Sequence, residues 1–95
     1  MLHILSNSPF KIDIYSMLNM LSAQDSLITL QDGVLISLSD NFFLDKLIKQ
    51  SKNLFVLEED VLARGVSHYI SSHFTLINYA KFVNLTEQHA KCMNW

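Results

Sequence analysis

One cysteine, one proline and two glycines are all that this 95-residue chain holds of the residues that staple, break or bend a backbone. The lone Cys92 excludes a disulfide within the chain and suits a reducing compartment, so a cytoplasmic location is expected. The scarcity of Pro and Gly leaves nothing that reads as a linker, and a chain of this length is expected to form one domain, residues 1–95. Charge is also scarce, at 17% of residues against about 25% in ordinary soluble domains. A domain this small buries only about 60–65% of its unfolded surface. Too few charges for the exposed remainder points to cover by another chain.

Basic clustering is missing as well. Seven Lys and Arg face nine Asp and Glu, for a net charge of −2. The densest group, Lys46, Lys49 and Lys52, has Asp45 beside it. Phosphate neutralisation needs several clustered cations, so no direct nucleic-acid contact is expected. No apolar run approaches the length of a membrane span, and Met1-Leu2-His3 carries no positively charged leader region. Neither membrane insertion nor a signal peptide is expected.

What the chain does hold is apolar residues, 49% of the total, in short runs. The run that organises the others is Leu27-Ile28-Thr29-Leu30, followed by Gln31-Asp32-Gly33-Val34. Ser26–Leu30 reads as a central strand. Asp-Gly between two apolar runs is a strong hairpin signal, which would return Val34–Leu38 as an antiparallel strand. The same residues also read as a strand-to-helix turn leading into a short helix.

Around that run the chain alternates. Leu2–Leu5 is a first strand. Ser8 and Pro9 suit the N-cap and first position of a helix carrying Phe10, Ile14, Met17, Leu18 and Leu21 on one stripe. Phe42–Gln50 is a second helix. Leu54–Leu57 is a strand covered on both faces. Glu58-Glu59-Asp60 opens a helix at the positive end of its dipole, and Gly65 closes it with a left-handed cap. Phe74–Ile77 is the next strand, Tyr79–His89 an amphipathic helix, and Ala90–Trp95 a tail. Strand-helix alternation of this kind predicts an α/β fold of three layers. A mostly parallel sheet of four to five strands carries helices on both faces. It also favours the helical reading of 34–38 over the hairpin.

Residues that could carry chemistry have plain alternatives. His89 would face Cys92 if the last helix continued, a pairing that can activate a thiol, but a tail cysteine is more often incidental. His68 and His73 with Cys92 match no zinc-ligand spacing. His3, inside a strand, reads as structural. Glu58–Asp60 and Asp32 lie at the carboxyl ends of strands, where parallel sheets bind ligands. They serve equally as helix starts. The Gly-rich phosphate fingerprint is absent, and Asp32 would repel a phosphate. Met17, Met20, Phe42, Phe43 and Trp95 are candidates for a partner surface, since Met and aromatics are enriched at interface centres.

Several stretches in order resemble one family. They are Met1-Leu2-His3 with Ser8-Pro9-Phe10, Leu30-Gln31-Asp32-Gly33-Val34 and Glu59-Asp60-Val61-Leu62-Ala63-Arg64-Gly65. Tyr79 with Phe82-Val83-Asn84-Leu85-Thr86, and the final Trp95, complete the series. The chain is similar to the DsrH branch of the DsrE/DsrF/DsrH-like family, with its Rossmann-like α/β fold. The resemblance implies a sulfur-relay subunit in a heterohexamer, a dimer of heterotrimers, with TusC-like and TusD-like sisters. Such a complex takes persulfide sulfur from a TusA-like protein and passes it to a TusE-like one, towards 2-thiolation of the wobble uridine of tRNA. The family's thiol carrier is a cysteine of the TusD-like subunit, near the start of the helix after the third strand. The comparable stretch here, Leu57-Glu58-Glu59-Asp60, has no cysteine, and its charge disfavours a thiolate. The first-helix cysteine of some DsrH-type relatives falls here at Met17-Leu18. With neither position filled, the expected role is a non-catalytic structural subunit, with no catalytic, cofactor-binding or metal-binding residue of its own. The alternatives are a stand-alone sulfur carrier through Cys92 and a small-ligand or regulatory module.

Overall fold

Five short segments, most of them apolar, lie side by side as the strands of one sheet in the computed structural model, which describes residues 1–95. The strands are β1 (Leu2–Leu5), β2 (Ser26–Thr29), β3 (Asn53–Leu57), β4 (Thr75–Ile77) and β5 (Cys92–Asn94). Their order is β4-β3-β2-β1-β5, and every pairing is parallel. The sheet is therefore parallel throughout, not mostly so, and β2 is its middle strand. All four β2 residues are buried, as in a middle strand of a sheet covered on both faces. The helices are α1 (Ile14–Met20), α2 (Leu44–Gln50), α3 (Glu58–Ala63) and α4 (Tyr79–Gln88). A seven-residue 3-10 helix runs over Gln31–Ser37, and a short one over Ser67–Tyr69.

Alternate side chains of each strand feed two cores. The larger gathers Leu5, Leu27, Leu54 and Val56 from the sheet with Ile14, Met17 and Leu18 of α1, Leu47 of α2 and Val61 of α3. The smaller has Leu2, Ile28 and Ile77 of the sheet under Leu85 of α4, with Phe55 and Phe82 partly buried against it. One helix thus covers a face that elsewhere takes three. The connectivity explains this. Steps from β1 to β4 all advance in one direction, and right-handed crossovers put their helices on one side. Only the return from β4 to β5 reverses, and it carries α4 to the other.

The segment after β2 takes the helical reading. Gln31 adopts a left-handed φ of 51°, and its amide donates to Asp60 Oδ2 at 2.6 Å. Asp32 and Gly33 lie within the 3-10 helix, and Leu38 beyond it makes an isolated antiparallel bridge to Ile70. The first helix starts later than expected. Ser8 does accept from the Phe10 amide at 3.2 Å, but this closes a turn. Asp13 caps α1, accepting from the Ser16 amide at 3.2 Å and the Ser16 hydroxyl at 2.7 Å. Phe10 consequently leaves the buried stripe and is 81% exposed. The expected tail contains β5, held by backbone hydrogen bonds from Leu2 to Lys91 O and from Trp95 to Ile4 O, both 2.9 Å. Its polar sequence carries no period-two pattern, because an edge strand pairs through its backbone.

Gly33 is required for space, not for a turn. A Cβ there would stand 2.1 Å from Leu5 O, where the 3-10 helix presses on the end of β1. Gly33→Ala is expected to destabilise the fold by about 1–3 kcal/mol through overpacking, read by denaturant unfolding. Gly65→Ala, at φ 66° in open space, isolates the backbone cost alone, about 1 kcal/mol.

Candidate functional site

The carboxyl edge of the sheet is where parallel folds usually bind ligands, and here its acids are engaged with the chain itself. Asp60 receives the Gln31 amide. Glu59 Oε2 receives the Tyr79 amide at the start of α4, 3.1 Å away. Asp32 Oδ1 pairs with Arg64 at 2.6 Å, and both side chains are well exposed, so the pair contributes under about 1 kcal/mol. Each contact ties one strand-helix turn to the next. Glu58 remains exposed beside them.

A second polar cluster lies at the amino edge. Asp25, in the turn between α1 and β2, is buried with its carboxylate shared three ways. Oδ1 accepts from the Met1 ammonium at 3.0 Å. Oδ2 accepts from His3 Nε2 at 2.9 Å and from the Ser22 amide at 3.2 Å. The Asp25 carbonyl accepts from Ser51 Oγ at 2.9 Å, at the end of α2. His3 is fully buried. Its other ring nitrogen, Nδ1, accepts from the Trp95 indole N–H at 3.1 Å, with the two rings inclined by 23°. An indole N–H only donates, so Nδ1 carries no proton and Nε2–H donates to Asp25. Burial pushes the Asp25 carboxyl up. Hydrogen bonds from His3, the Met1 ammonium and Ser22 outweigh that and hold it well below the usual carboxylate range. Sequence reasoning placed His3 as structural and passed over Asp25. A histidine in a buried strand must satisfy both ring nitrogens, and that requirement was the available signal.

Beside this cluster a cleft of about 360 Å³ is lined by Ile48, Ser51, Lys52, Leu54 and His73. Ser51 is the residue shared between the two, and its hydroxyl is already bonded on both sides, to Asp25 and to the Asn53 amide.

The thiol stands apart. Cys92 is exposed on edge strand β5. The last helix ends at Gln88, and His89 turns extended, so the expected helical pairing of His89 with Cys92 does not form. His73 lies just before β4, at the opposite edge of the sheet. Four strand spacings, about 19 Å, separate the two edges.

The residues expected at a partner surface divide. Met17 is fully buried in the larger core, where α1 must face the sheet, and it lines no surface. Trp95 packs partly against the same core and bonds His3. Met20 is 45% exposed and Phe42 84% exposed. Phe42 meets Phe43 edge-on at 5.3 Å, and Phe43 meets Tyr15 edge-on at 5.8 Å. Lys46 Nζ sits 5.7 Å over the Tyr15 ring. Three aromatics and a cation therefore form one outward patch where α1 and α2 adjoin.

Residues 7–92 match the family model described as DsrH like protein. The chain belongs to the DsrH-like family. Two curated relatives named Protein TusB are matched over the whole length of both chains. The one from Buchnera aphidicola subsp. Schizaphis graminum is 50% identical over 95 residues, and the one from Buchnera aphidicola subsp. Acyrthosiphon pisum is 47% identical over 95 residues. Among solved structures, a Methanobacterium thermoautotrophicum protein of unknown function, MTH1491, superposes with a TM-score of 0.73. It covers 99% of this chain and 96% of its own, at 8% identity, which is a likeness of fold. The α/β fold expected from strand-helix alternation is thus the fold of this DsrH-like chain. No helix in it is long and apolar enough to cross a membrane.

The Asp25 contacts have a pH signature. A carboxyl held below its usual range in the folded state contributes stability that is complete above the unfolded value, about pH 4. That contribution is lost as pH falls below it. Asp25→Asn is expected to cost about 1–3 kcal/mol near neutrality and to flatten the fall in stability between pH 4 and lower values. Denaturant midpoints across that range check both effects.

Proposed function

We propose that this DsrH-like chain is a non-catalytic structural subunit of a cytoplasmic sulfur-relay complex acting in tRNA wobble-uridine thiolation. In this reading it joins TusC-like and TusD-like sisters in a heterohexamer, a dimer of heterotrimers. The assembly passes persulfide sulfur from a TusA-like donor to a TusE-like acceptor, and a sister subunit holds the thiol. The relatives named TusB support the assignment to such an assembly. The observation that carries the structural role is the contrast between two regions of this chain. At the carboxyl edge, Asp32, Glu59 and Asp60 are bonded to the fold itself. On the α1–α2 side, Tyr15, Met20 and Phe42 are left in water. A protein that works by contact has that distribution. A low charge content of 17% agrees with a surface partly covered by other chains.

In this reading Cys92 has no part in the chemistry. A sulfur carrier needs its thiolate stabilised by a neighbouring cation or a helix N-terminus. Cys92 sits on an edge strand, and its register neighbour on β1 is Leu2.

Co-expression with TusC-like and TusD-like chains is expected to give one stable assembly by native mass spectrometry. A monodisperse monomer that ignores them contradicts the proposal. Cys92→Ser is expected to leave cellular 2-thiouridine unchanged. Its loss in that variant would transfer the chemistry to this chain.

A further inference from the structure

The His3–Trp95 contact joins a buried imidazole to the segment that follows β5. It exists in only one protonation state of the imidazole. Nδ1 must be bare to accept the indole N–H, while Nε2–H donates to Asp25. Adding a proton at Nδ1 leaves Asp25 with a stronger partner, a charged imidazolium on a carboxylate. The same proton sets two donors, Nδ1–H and the indole N–H, against each other at 3.1 Å. The Asp25 side of the ring is favoured by protonation and the Trp95 side is abolished by it.

The surroundings direct the response outward. The titratable groups that His3 faces are Asp25, from the turn before β2, and the Met1 ammonium on the other oxygen of that carboxylate. On the flanking strands its register neighbours are Leu27 of β2 and Met93 of β5, neither of which titrates. The helices over that face present Met17, Leu18 and Leu47 to the core. The ring itself is on an inner strand and fixed. Trp95 is half-buried and follows the three-residue edge strand β5. Beyond its indole it is held by its backbone amide to Ile4 O at 2.9 Å and by Asn7 Nδ2 to its own carbonyl at 3.1 Å. The element able to move is therefore Trp95.

We propose that His3 is a pH-sensitive latch for the C-terminal segment. The neutral imidazole docks Trp95 against the sheet, and the protonated imidazole keeps Asp25 and releases Trp95. The device switches a large apolar ring between the core and the surface beside strand β5. It stands on this chain's own side chains and is independent of the sulfur-relay reading.

Trp95 is the only tryptophan, so its fluorescence reports the latch without interference. Acidifying the full-length chain from pH 8 to pH 5 spans the range in which imidazoles titrate. Over that range the emission is expected to shift to the red, and the protection of the indole N–H, relative to its intrinsic exchange rate at each pH, is expected to fall. The transition is expected to disappear in His3→Gln. The Gln side-chain oxygen can accept from the indole while its amide donates to Asp25 at every pH, which keeps Trp95 docked. If that variant fails to fold, wild-type ¹⁵N NMR decides: imidazole protonation and loss of indole protection must share one midpoint. Flat wild-type emission over this range overturns the proposal. So does an unchanged transition in His3→Gln, or two separate midpoints.

Discussion

The fold depends on one carboxylate at the amino edge of its sheet. A parallel sheet cannot be built from hairpins, so each strand reaches its neighbour only through a crossover. Asp25 closes the first two crossovers at once. Its side chain binds β1 through His3 and Met1, and its backbone carbonyl binds the end of α2 through Ser51. His3 carries the connection on to Trp95 beyond β5. Strands β5, β1 and β2, and the turn that enters β3, are thereby tied by a single chain of hydrogen bonds. Every buried polar side-chain atom along it has a partner, and a network of this kind stabilises only when complete.

A second constraint is connectivity. Three steps in one direction and one reversal leave three helices over one face of the sheet and one over the other. The thicker side buries α1 and α2 against the sheet and turns Tyr15 and Phe42 outward. The acids on the carboxyl edge hold consecutive turns together, and Tyr15 of α1 and Phe42, in the turn before α2, are exposed. In the proposed reading a DsrH-like chain arranged this way supplies shape to an assembly, while its own ionisable groups hold its turns and edges together.

Much of this was legible in the residues. Ser26–Leu30 reads as the central strand, and β2 is the middle strand of the sheet. Gly65 was legible because a glycine after an amphipathic run is the usual left-handed cap, and its φ is 66°. Gly33 was the right residue with the wrong reason. The strain of the turn falls on Gln31, and Gly33 is small because Leu5 O lies against it. Partners distant in sequence were not legible. Asp25 reads as an ordinary loop acid until the fold brings His3 to it across 22 residues. Strand β5 was hidden for a related reason: Cys92-Met93-Asn94 has no pattern of its own and is recruited by the free edge of β1. Met17 belongs to the core because α1 begins at Ile14 and turns that side inward.

The central claim is that this chain contributes surface and leaves sulfur chemistry to a sister subunit. Intact-mass spectrometry of the reconstituted complex, after brief exposure to a persulfide donor, tests it most directly. The account predicts added sulfur on a sister chain and an unmodified mass for this one. A rapidly formed persulfide on Cys92, transferred onward when a TusE-like acceptor is added, would contradict it.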